Sequence, residues 1–426
     1  MKTRIIKRKS ELEFIVIMAS LMSLAAFSID ALLPGLIEIG KDIGITDSRD
    51  NQLLIIMIFS GLGVGQLVSG PLSDTLGRKP VIFMGYFVFA LASLLCISAK
   101  SLEIMVAGRF LQGIGLSAPR TISMAMVRDR YSGNYMARVM SFITVIFILV
   151  PVIAPSFGKM MLLHFNWKAI FASQLMLGLL VISWVWWRQP ETLIEANKKQ
   201  FKITLFADGV KEFIKHRNSV VSALIVGLLS AAFMAYISSS QQIFQEQYGL
   251  VDEFPYIFSG LAAGIGLATF LNGNLVVRFG MFKLASFFML LFALLSLGFA
   301  FFYYNSPNPS STILIAFFGL MLFFMGFMFG NVNAIAMQPI GHIAGIGAAI
   351  LGFTSTLIAV PIATFIGSFI QDSVFPLFVG IAICGSLATL LIYYLKYADN
   401  KAVIAQSEIQ ELVVQPVMVT SKEKML

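Results

Sequence analysis

The amino-acid sequence predicts an all-α integral membrane protein, with twelve transmembrane helices in two pseudo-symmetric six-helix bundles. Three observations lead to this prediction. Hydrophobic residues occupy 58% of the 426 positions and charged residues only 12%, about half of the roughly 25% that is usual in soluble domains. The apolar residues form runs of about 20, the length of a helix that crosses a bilayer. The loops in the two halves of the chain also share a pattern.

Each span is predicted from one apolar run between short polar connections. The first run follows a basic start, but no small-residue cleavage site follows it, so we interpret it as a span and not as a signal peptide. The predicted spans are 14–37, 51–73, 80–99, 102–126, 138–162, 168–187, 218–241, 254–277, 283–304, 311–334, 345–369 and 374–396.

One connection is longer than the others and separates the two bundles. It is rich in Lys and Glu, and its KEFIKH stretch is predicted to form a surface helix. The chain therefore divides into an N-terminal segment 1–13, a first bundle 14–187, a central loop 188–217, a second bundle 218–396 and a polar tail 397–426.

The cations predict the orientation of the chain in the membrane. With the N-terminus inside, 23 of the 30 Lys and Arg residues fall in inside segments and five in outside loops, while Arg109 and Arg120 lie within spans. Such an excess on one side places both termini in the cytoplasm. The net charge of +8 is explained by this asymmetry, so we expect no nucleic-acid partner.

A repeated loop predicts the two-fold organisation. The loop after the second span, GPLSDTLGRKP, begins at Gly70, and the loop after the eighth span, GNLVVRFGMFK, begins at Gly273. Their glycines and leucines share one spacing, so that Gly77 matches Gly280 at an offset of 203 residues. Two repeats of six spans with a site between them are typical of transporters.

Several motifs resemble those of the major facilitator superfamily. The loop 70–79 is similar to its signature loop between spans two and three. The stretch GRFLQG at 108–113 resembles the Arg-x-x-Gln-Gly pattern of drug:proton antiporters. The stretch APSFG at 154–158 resembles the antiporter motif Gly-Pro-x-x-Gly-Gly, with Ala154 and Lys159 in place of its first and last glycine.

Three further stretches are similar to the bicyclomycin-resistance branch of multidrug exporters: DALLP at 30–34, VRD at 127–129 with Arg120 before it, and AMQPIGHIAG at 336–345. The resemblance covers about residues 14–395. It implies a monomeric exporter in the bacterial inner membrane that moves small amphipathic molecules in exchange for protons. It implies no cofactor, because the proton gradient supplies the energy.

Asp30 and Arg109 are the leading candidates for the transport chemistry. Asp30 is a carboxylate well inside the first span, where an isolated charge is costly and faces a cavity or a partner. Because burial favours the neutral form of a carboxyl group, Asp30 is expected to hold either a proton or a substrate, unless it is an interface residue that bonds locally near Pro34. Arg109 stays charged and is expected to pair with Asp30, or to act as a structural tie.

Two more residues of the fourth span complete this candidate set. Arg120 lies eleven residues after Arg109, which is about three helical turns, so both share one face. It is expected either to line the cavity or to extend towards the cytoplasmic surface. Gln112 is a candidate hydrogen-bonding group in the cavity, although the neighbouring glycines indicate mainly close helix packing.

Other residues are candidates for conformational control or for lining the pathway. In the signature loop, Asp74 is expected to cap a helix or to pair with Arg128 or Arg138. Prolines in span five are expected to kink it and to form a seal with span eight or eleven. The loop candidates are Gly70, Asp74, Gly77, Arg78 and Lys79, the span-five candidates are Pro151, Pro155 and Gly158, and the possible lining residues are Asn331 and Asn333.

The sequence does not favour an enzyme. It has no Walker loop for ATP, no recognisable nucleophile and base, and no Cys/His cluster with metal spacing. Its two cysteines, Cys96 and Cys384, are expected to be buried apolar residues. Besides multidrug export, three alternatives stay open: export of one endogenous metabolite such as a siderophore, proton-coupled uptake, and a membrane receptor or scaffold without transport.

Overall fold

The computed structural model describes residues 2–131, 133–194, 198 and 203–422. Every regular element in these ranges is a helix. The α-helices are α1 Lys2–Asp30, α2 Leu36–Asp42, α3 Asn51–Leu76, α4 Arg78–Ser98, α5 Leu102–Arg130, α6 Gly133–His164, α7 Lys168–Arg188, α8 Ile203–Lys215, α9 Arg217–Gln241, α10 Phe254–Phe279, α11 Met281–Phe302, α12 Ser311–Met337, α13 Ala344–Gly367 and α14 Phe375–Lys422.

All twelve predicted spans correspond to helices. Eleven segments of the described chain are long and apolar enough to cross a membrane. The remaining predicted span corresponds to α5, which has 29 residues but is less apolar because it carries several charged side chains. Since α5 packs against α1, α3 and α4, Arg109 in its middle is buried inside the first bundle, whereas the charged residues near its two ends, Glu103, Arg128, Asp129 and Arg130, are exposed.

The first span is longer than predicted and is broken. It extends from Glu11 to Asp42 instead of 14–37, and α1 ends within it at Asp30. A 3-10 turn follows at Leu33–Gly35, with Pro34 at its start, and α2 then forms the last part of the span. Proline has no backbone N–H and disfavours a helical residue before it, which explains an interruption at this point.

The two bundles repeat the same helix pairings. In the first, α3 packs on α5, α1 on α6, and α4 on α7. In the second, the equivalent spans pair in the same way, as α10 with α12, α9 with α13, and α11 with α14. The repeated loops also match, because Gly77 and Gly280 both have positive φ, at 107° and 81°. Glycine adopts such angles without the steric penalty of a Cβ.

Helices also occupy the predicted central loop and tail. The predicted surface helix is present as α8, which lays Phe213 against α9 and α13 and leaves Ile214 exposed. Beyond the last predicted span, α14 continues without a break to Lys422.

We name the two ends of the helical bundles by their charge. The basic face is the end that carries Arg78, Lys79, Arg128, Arg130 and Arg138, together with α8. The opposite face is the end where α3 and α10 begin. The bundles meet through α3 with α13 and α6 with α10, which are equivalent pairs under the two-fold repeat.

Candidate functional site

The break in the first span leaves a backbone carbonyl free beside Asp30. The backbone N–H of Leu32 donates to the carbonyl of Ile29, so it does not take its helical acceptor, the carbonyl of Ser28. The last carbonyls of a helix carry partial negative charge and need a donor from elsewhere. The break therefore creates a buried site for a cation next to the Asp30 side chain, which is 5% exposed.

Arg109 from α5 supplies this cation. Its side chain is fully buried, and its Nη1 donates to the Ser28 carbonyl at 3.1 Å. Its Nε donates to the carbonyl of Leu54 on α3 at 2.8 Å. The guanidinium thus ties three helices of the first bundle together at the break.

The predicted pairing of Arg109 with Asp30 is wrong. Within the described residues, the Asp30 side chain forms no hydrogen bond or ion pair. The guanidinium of Arg109 donates through Nε and Nη1 to the two carbonyls and to Gln112, and its buried Nη2 has no hydrogen-bond partner among the described residues. The Oε1 atom of Gln112 accepts from Arg109 Nη1 at 2.9 Å, and its Nε2 donates to Ser93 Oγ at 2.8 Å. Gln112 therefore positions Arg109 and does not point freely into a cavity.

Close helix contacts hold these groups in place. A Cβ at Gly113 would lie 2.1 Å from the carbonyl oxygen of Ile58, and one at Gly61 would lie 2.0 Å from that of Phe110. Only glycine allows backbones to approach so closely. The glycines of α3 and α5 therefore set the distance between these helices, across which Arg109 donates to the Leu54 carbonyl.

Arg120 is separated from this group. It lies about 16 Å further along α5, towards the basic face. Its side chain is half-buried and forms no hydrogen bond or ion pair with the described residues. A charged group without a protein partner needs water, so this exposure is consistent with the predicted position at an aqueous cavity.

The asparagines of the second bundle form ties within that bundle. Asn331 on α12 donates from Nδ2 to Asn272 Oδ1 on α10 at 2.8 Å and is only 3% exposed. Asn333 donates to the carbonyl of Phe329 on its own helix at 2.8 Å and stays half-buried. Of these two residues, Asn333 is therefore the one that retains exposure for lining a pathway.

Amide groups close the space between the bundles towards the opposite face. Gln52 on α3 donates to Gln242 Oε1, just after α9, at 2.8 Å. The same amide of Gln52 lies 3.4 Å from the carbonyl of Gly367 at the end of α13. Gln242 in turn donates to the carbonyl of Ile370 at 3.0 Å. All four residues are at span ends on this face.

Two charged side chains extend this closure. Arg49 donates to the carbonyl of Ser368 at 3.0 Å, and Lys159 at the end of α6 forms an ion pair of 2.6 Å with Asp252 before α10. Polar side chains thus join the two bundles at the opposite face.

The signature loop forms an ion-pair network at the basic face. Arg78 lies 2.5 Å from Asp74 on α3 and 2.9 Å from Asp129 at the end of α5. The predicted partners of Asp74, Arg128 and Arg138, are therefore wrong. Arg78 is four residues after Asp74 but starts the next helix, and the turn at Gly77 brings its side chain between the two carboxylates.

Glu191, which follows α7, caps the start of α4. Its carboxylate accepts from the backbone N–H groups of Arg78 at 3.1 Å and Lys79 at 3.0 Å, as well as from Thr192 and Leu193. Partial burial raises the pKa of Glu191, but these four donors lower it more, so that it lies below its usual value. The carboxylate also explains Gly77, because a Cβ there would lie 2.9 Å from Glu191 Oε2.

The other loop candidates differ in what they contact. Lys79 donates from Nζ to the carbonyl of Trp186 at 3.3 Å, so it joins α4 to α7. Gly70 accepts from Ser73 Oγ at 2.8 Å through its carbonyl, but open space surrounds its Cα. No described contact at Gly70 requires a glycine.

The span-five candidates lie on α6, which continues through Pro151 and Pro155. Gly158 packs directly on the break in the first span, where a Cβ would lie 2.0 Å from the carbonyl oxygen of Ala31. Contacts with span eight occur at other residues of α6, for example Ile148, whose Cγ2 would be 2.3 Å from a Cβ at Gly266. Gly158 therefore sets the distance between α6 and the residue that follows Asp30.

Sequence reasoning missed several residues of these networks. Glu191 and Asp129 complete the basic-face network, and Gln52 and Gln242 form the closure. On α9, Tyr236 is 2% exposed and its hydroxyl has no hydrogen-bond partner among the described residues. A polar residue within an apolar run was the available signal for Tyr236, since such groups are costly in a membrane unless they are used.

Two equivalent six-helix bundles that close around buried charges define a secondary active transporter. The sequence model of the Major Facilitator Superfamily matches residues 18–364, and the chain belongs to this superfamily. It is a multi-pass membrane transporter and not an enzyme.

Relatives and a solved structure agree with this assignment. The chain is 28% identical to the bicyclomycin resistance protein homolog of Haemophilus influenzae, over 93% of this chain and 99% of that protein. It is 26% identical to the multidrug resistance protein MdtL of Salmonella paratyphi A, over 93% of this chain and 98% of that protein. The crystal structure of the D-xylose-proton symporter superposes with a TM-score of 0.68 at 15% identity, covering 89% of this chain and 97% of that one.

Proposed function

We propose that this transporter exports small amphipathic compounds from the cytoplasm in exchange for protons, as a multidrug efflux protein of a bacterial inner membrane. The basic face is then cytoplasmic, since basic residues accumulate on that side of the membrane, and both termini lie inside. The described conformation, in which Gln52 bonds to Gln242 across the bundles at the opposite face, is then closed towards the outside at this contact.

The observation that carries the proposal is the unpaired carboxylate at the break in the first span. Asp30 is buried, and among the described residues it forms no ion pair with the guanidinium of Arg109, which donates to carbonyls and to Gln112. A buried carboxyl group in this position has two ways to lose its charge: it binds a proton, or it pairs with a group on the substrate. Competition between these two events at one carboxylate couples proton entry to substrate exit.

Arg109 has a positioning role in this scheme. Its two carbonyl bonds, to Ser28 and Leu54, fix the break in the first span against α3. The proton gradient supplies the energy, with no cofactor, and one chain contains the whole pathway as a monomer.

The similarity to two resistance proteins over nearly their whole length supports export of several compounds. Alternating access would rock the first bundle, 14–187, against the second, 218–396. Opening at the opposite face would break the bonds that Gln52 forms with Gln242 and Gly367.

The proposal is tested by ethidium transport in everted vesicles with an imposed proton gradient. We expect Asp30→Asn to abolish gradient-driven accumulation of ethidium while the protein is still produced and folded. Asp372→Asn is the matched control, because Asp372 is an exposed carboxylate and should transport like the wild type. Full activity of Asp30→Asn would rule out the coupling role, and accumulation only in right-side-out vesicles would indicate uptake.

A further inference from the structure

Gln66 is a polar side chain within a membrane span that the scheme above does not use. It lies on α3, which extends from Asn51 to Leu76, about 4 Å from the middle of that helix. Its side chain is half-buried and forms no hydrogen bond with any residue that the structure describes. An amide without a partner is costly inside a membrane, so Gln66 calls for a partner that arrives during transport.

Gln66 lies where the two bundles touch. Helix α3 of the first bundle packs against α13 of the second. A Cβ at Gly63 would lie 2.5 Å from Thr356 Cγ2, and one at Gly352 would lie 2.2 Å from Gln66 Oε1, so the two helices run antiparallel along this contact. The amide oxygen of Gln66 therefore contacts the backbone of the other bundle, at a glycine that leaves room for it.

The contact leaves the amide nitrogen of Gln66 without a partner. The hydroxyls of α13 near this point donate to carbonyls of their own helix, Thr356 to that of Gly352 at 2.9 Å and Ser355 to that of Leu351 at 2.6 Å. Neither hydroxyl bonds to Gln66. Its Nε2 atom therefore keeps two N–H donors with no acceptor among the described residues, beside the contact between the bundles.

The depth of Gln66 differs from that of Asp30. Arg109 donates both to the carbonyl of Ser28, close to Asp30, and to the carbonyl of Leu54 on α3, so this part of the first span lies level with Leu54. Gln66 is further along α3 by about 18 Å, towards the basic face. A compound that enters from the basic face therefore reaches the level of Gln66 first.

We propose that Gln66 is a substrate-binding residue whose N–H donors bind an oxygen acceptor of the compound, such as a carbonyl or ether group, before the compound reaches Asp30. This inference deepens the proposed function and rests on it, since it assigns an early contact on the outward path. Binding sites of such transporters lie near the midplane between the repeats, and Gln66 meets Gly352 there. A compound without an oxygen acceptor lacks this contact.

The test compares two fluorescent probes that differ in one oxygen. N-(4-oxopentyl) dansylamide carries a ketone in its chain, and N-pentyl dansylamide has the same chain without it. The Kd of each probe is measured with purified protein. We expect Gln66→Leu to weaken binding of the ketone probe relative to the other probe by about three- to tenfold, because one hydrogen bond between uncharged groups is lost. Asn274→Leu is the control, since it removes an exposed amide from α10, the equivalent of α3, and should leave the ratio of the two Kd values unchanged.

A second variant tests the contact from the other bundle. The added Cβ of Gly352→Ala would lie 2.2 Å from Gln66 Oε1, so the amide must turn away from its place. We expect the ratio of the two Kd values to change in the same direction as in Gln66→Leu. When Gly352→Ala is added to Gln66→Leu, the ratio should change no further.

Thermal unfolding separates binding from a structural role. Because the amide has no hydrogen bond to lose, Gln66→Leu should unfold at the same temperature as the wild type or higher. An unchanged ratio in Gln66→Leu would overturn the inference even if ethidium export is proton-driven, and so would an equal loss for both probes together with a lower unfolding temperature. A changed ratio without any proton-driven export would instead refute the proposed function and leave the contact with Gln66 standing.

Discussion

Replacing Gly158 by alanine perturbs the candidate site without touching a charge. An added Cβ would lie 2.0 Å from the carbonyl oxygen of Ala31 and 2.9 Å from its carbonyl carbon. A carbon–oxygen contact normally needs about 3.3 Å, so α6 and the break in the first span must separate by roughly 1.3 Å. Backbone on both sides leaves no flexible side chain to absorb this shift.

The expected losses of stability and of export follow from that displacement. Overpacking of this kind costs about 1–3 kcal/mol of folding stability. Ala31 is adjacent to Asp30, so the shift falls on the carboxylate that we place at the centre of coupling. A misplacement of about 1 Å in a reacting group lowers rates by up to a hundredfold, and we expect proton-driven ethidium export to fall by roughly ten- to a hundredfold.

The assay pairs transport with stability, and the control is Gly260→Ala. A Cβ at Gly260 on α10 would meet no atom within 4 Å, and alanine favours a helix by about 0.5–1 kcal/mol. We expect this control to transport normally and to unfold at the same or a higher temperature. If Gly158→Ala matches Gly260→Ala in both measurements, the close contact has no role in setting the site.

Three further predictions concern the networks around the site. Glu191→Gln should lower stability by about 0.5–1 kcal/mol. Backbone donors hold the pKa of Glu191 below its usual value of 4.5. The stability difference should therefore be complete well above pH 4.5 and vanish as the pH falls through the folded-state pKa. Thermal unfolding from pH 7 to pH 3 checks this, and a constant difference would contradict it. Gln52→Ala removes the bond to Gln242 and should populate a state that is open at the opposite face. This state should show longer distances between spin labels placed on the two bundles at that face, in a cysteine-free background. Unchanged distances would show that the bond between Gln52 and Gln242 does not hold this face closed. Arg109→Lys should abolish proton-driven export while the protein stays folded, because an ammonium cannot span both carbonyls as the guanidinium does; retained export would show that positive charge alone suffices.

The helices and their two-fold repeat could be predicted because both depend on local sequence. A run of about 20 apolar residues forms a span whatever its neighbours are, and the loop with Gly77 and Gly280 marks the same turn in each half. The exception was the length of the first span, where Pro34 interrupts the helix and the chain then continues to Asp42.

The partners within the site could not be predicted in the same way. Arg109 is bound by backbone carbonyls of Ser28 and Leu54, and a backbone group that becomes free at a helix break has no side-chain signature. Asp74 pairs with Arg78 because of the turn between them, which is also a matter of backbone geometry. Sequence reasoning identified the residues that carry charge but placed them with the wrong neighbours.

Contacts between the bundles were the least predictable feature. Gln52 and Gln242 are 190 positions apart, and nothing in either apolar run indicates that they face each other. The sequence gives the depth of each residue along its span, but not the rotation of the helix about its axis. It therefore does not show which neighbouring helix a side chain faces. The contact between Gly158 and Ala31, within the first bundle, depends on the same information.

The central claim is that a proton and the substrate compete for Asp30, and proton release on binding tests it most directly. Ethidium is added to purified protein in weakly buffered detergent solution, and the pH of the medium is recorded. The account predicts proton release by the wild type that disappears in Asp30→Asn. Equal release by both proteins, or tight binding of ethidium by the wild type across a range of pH without any release, would contradict it.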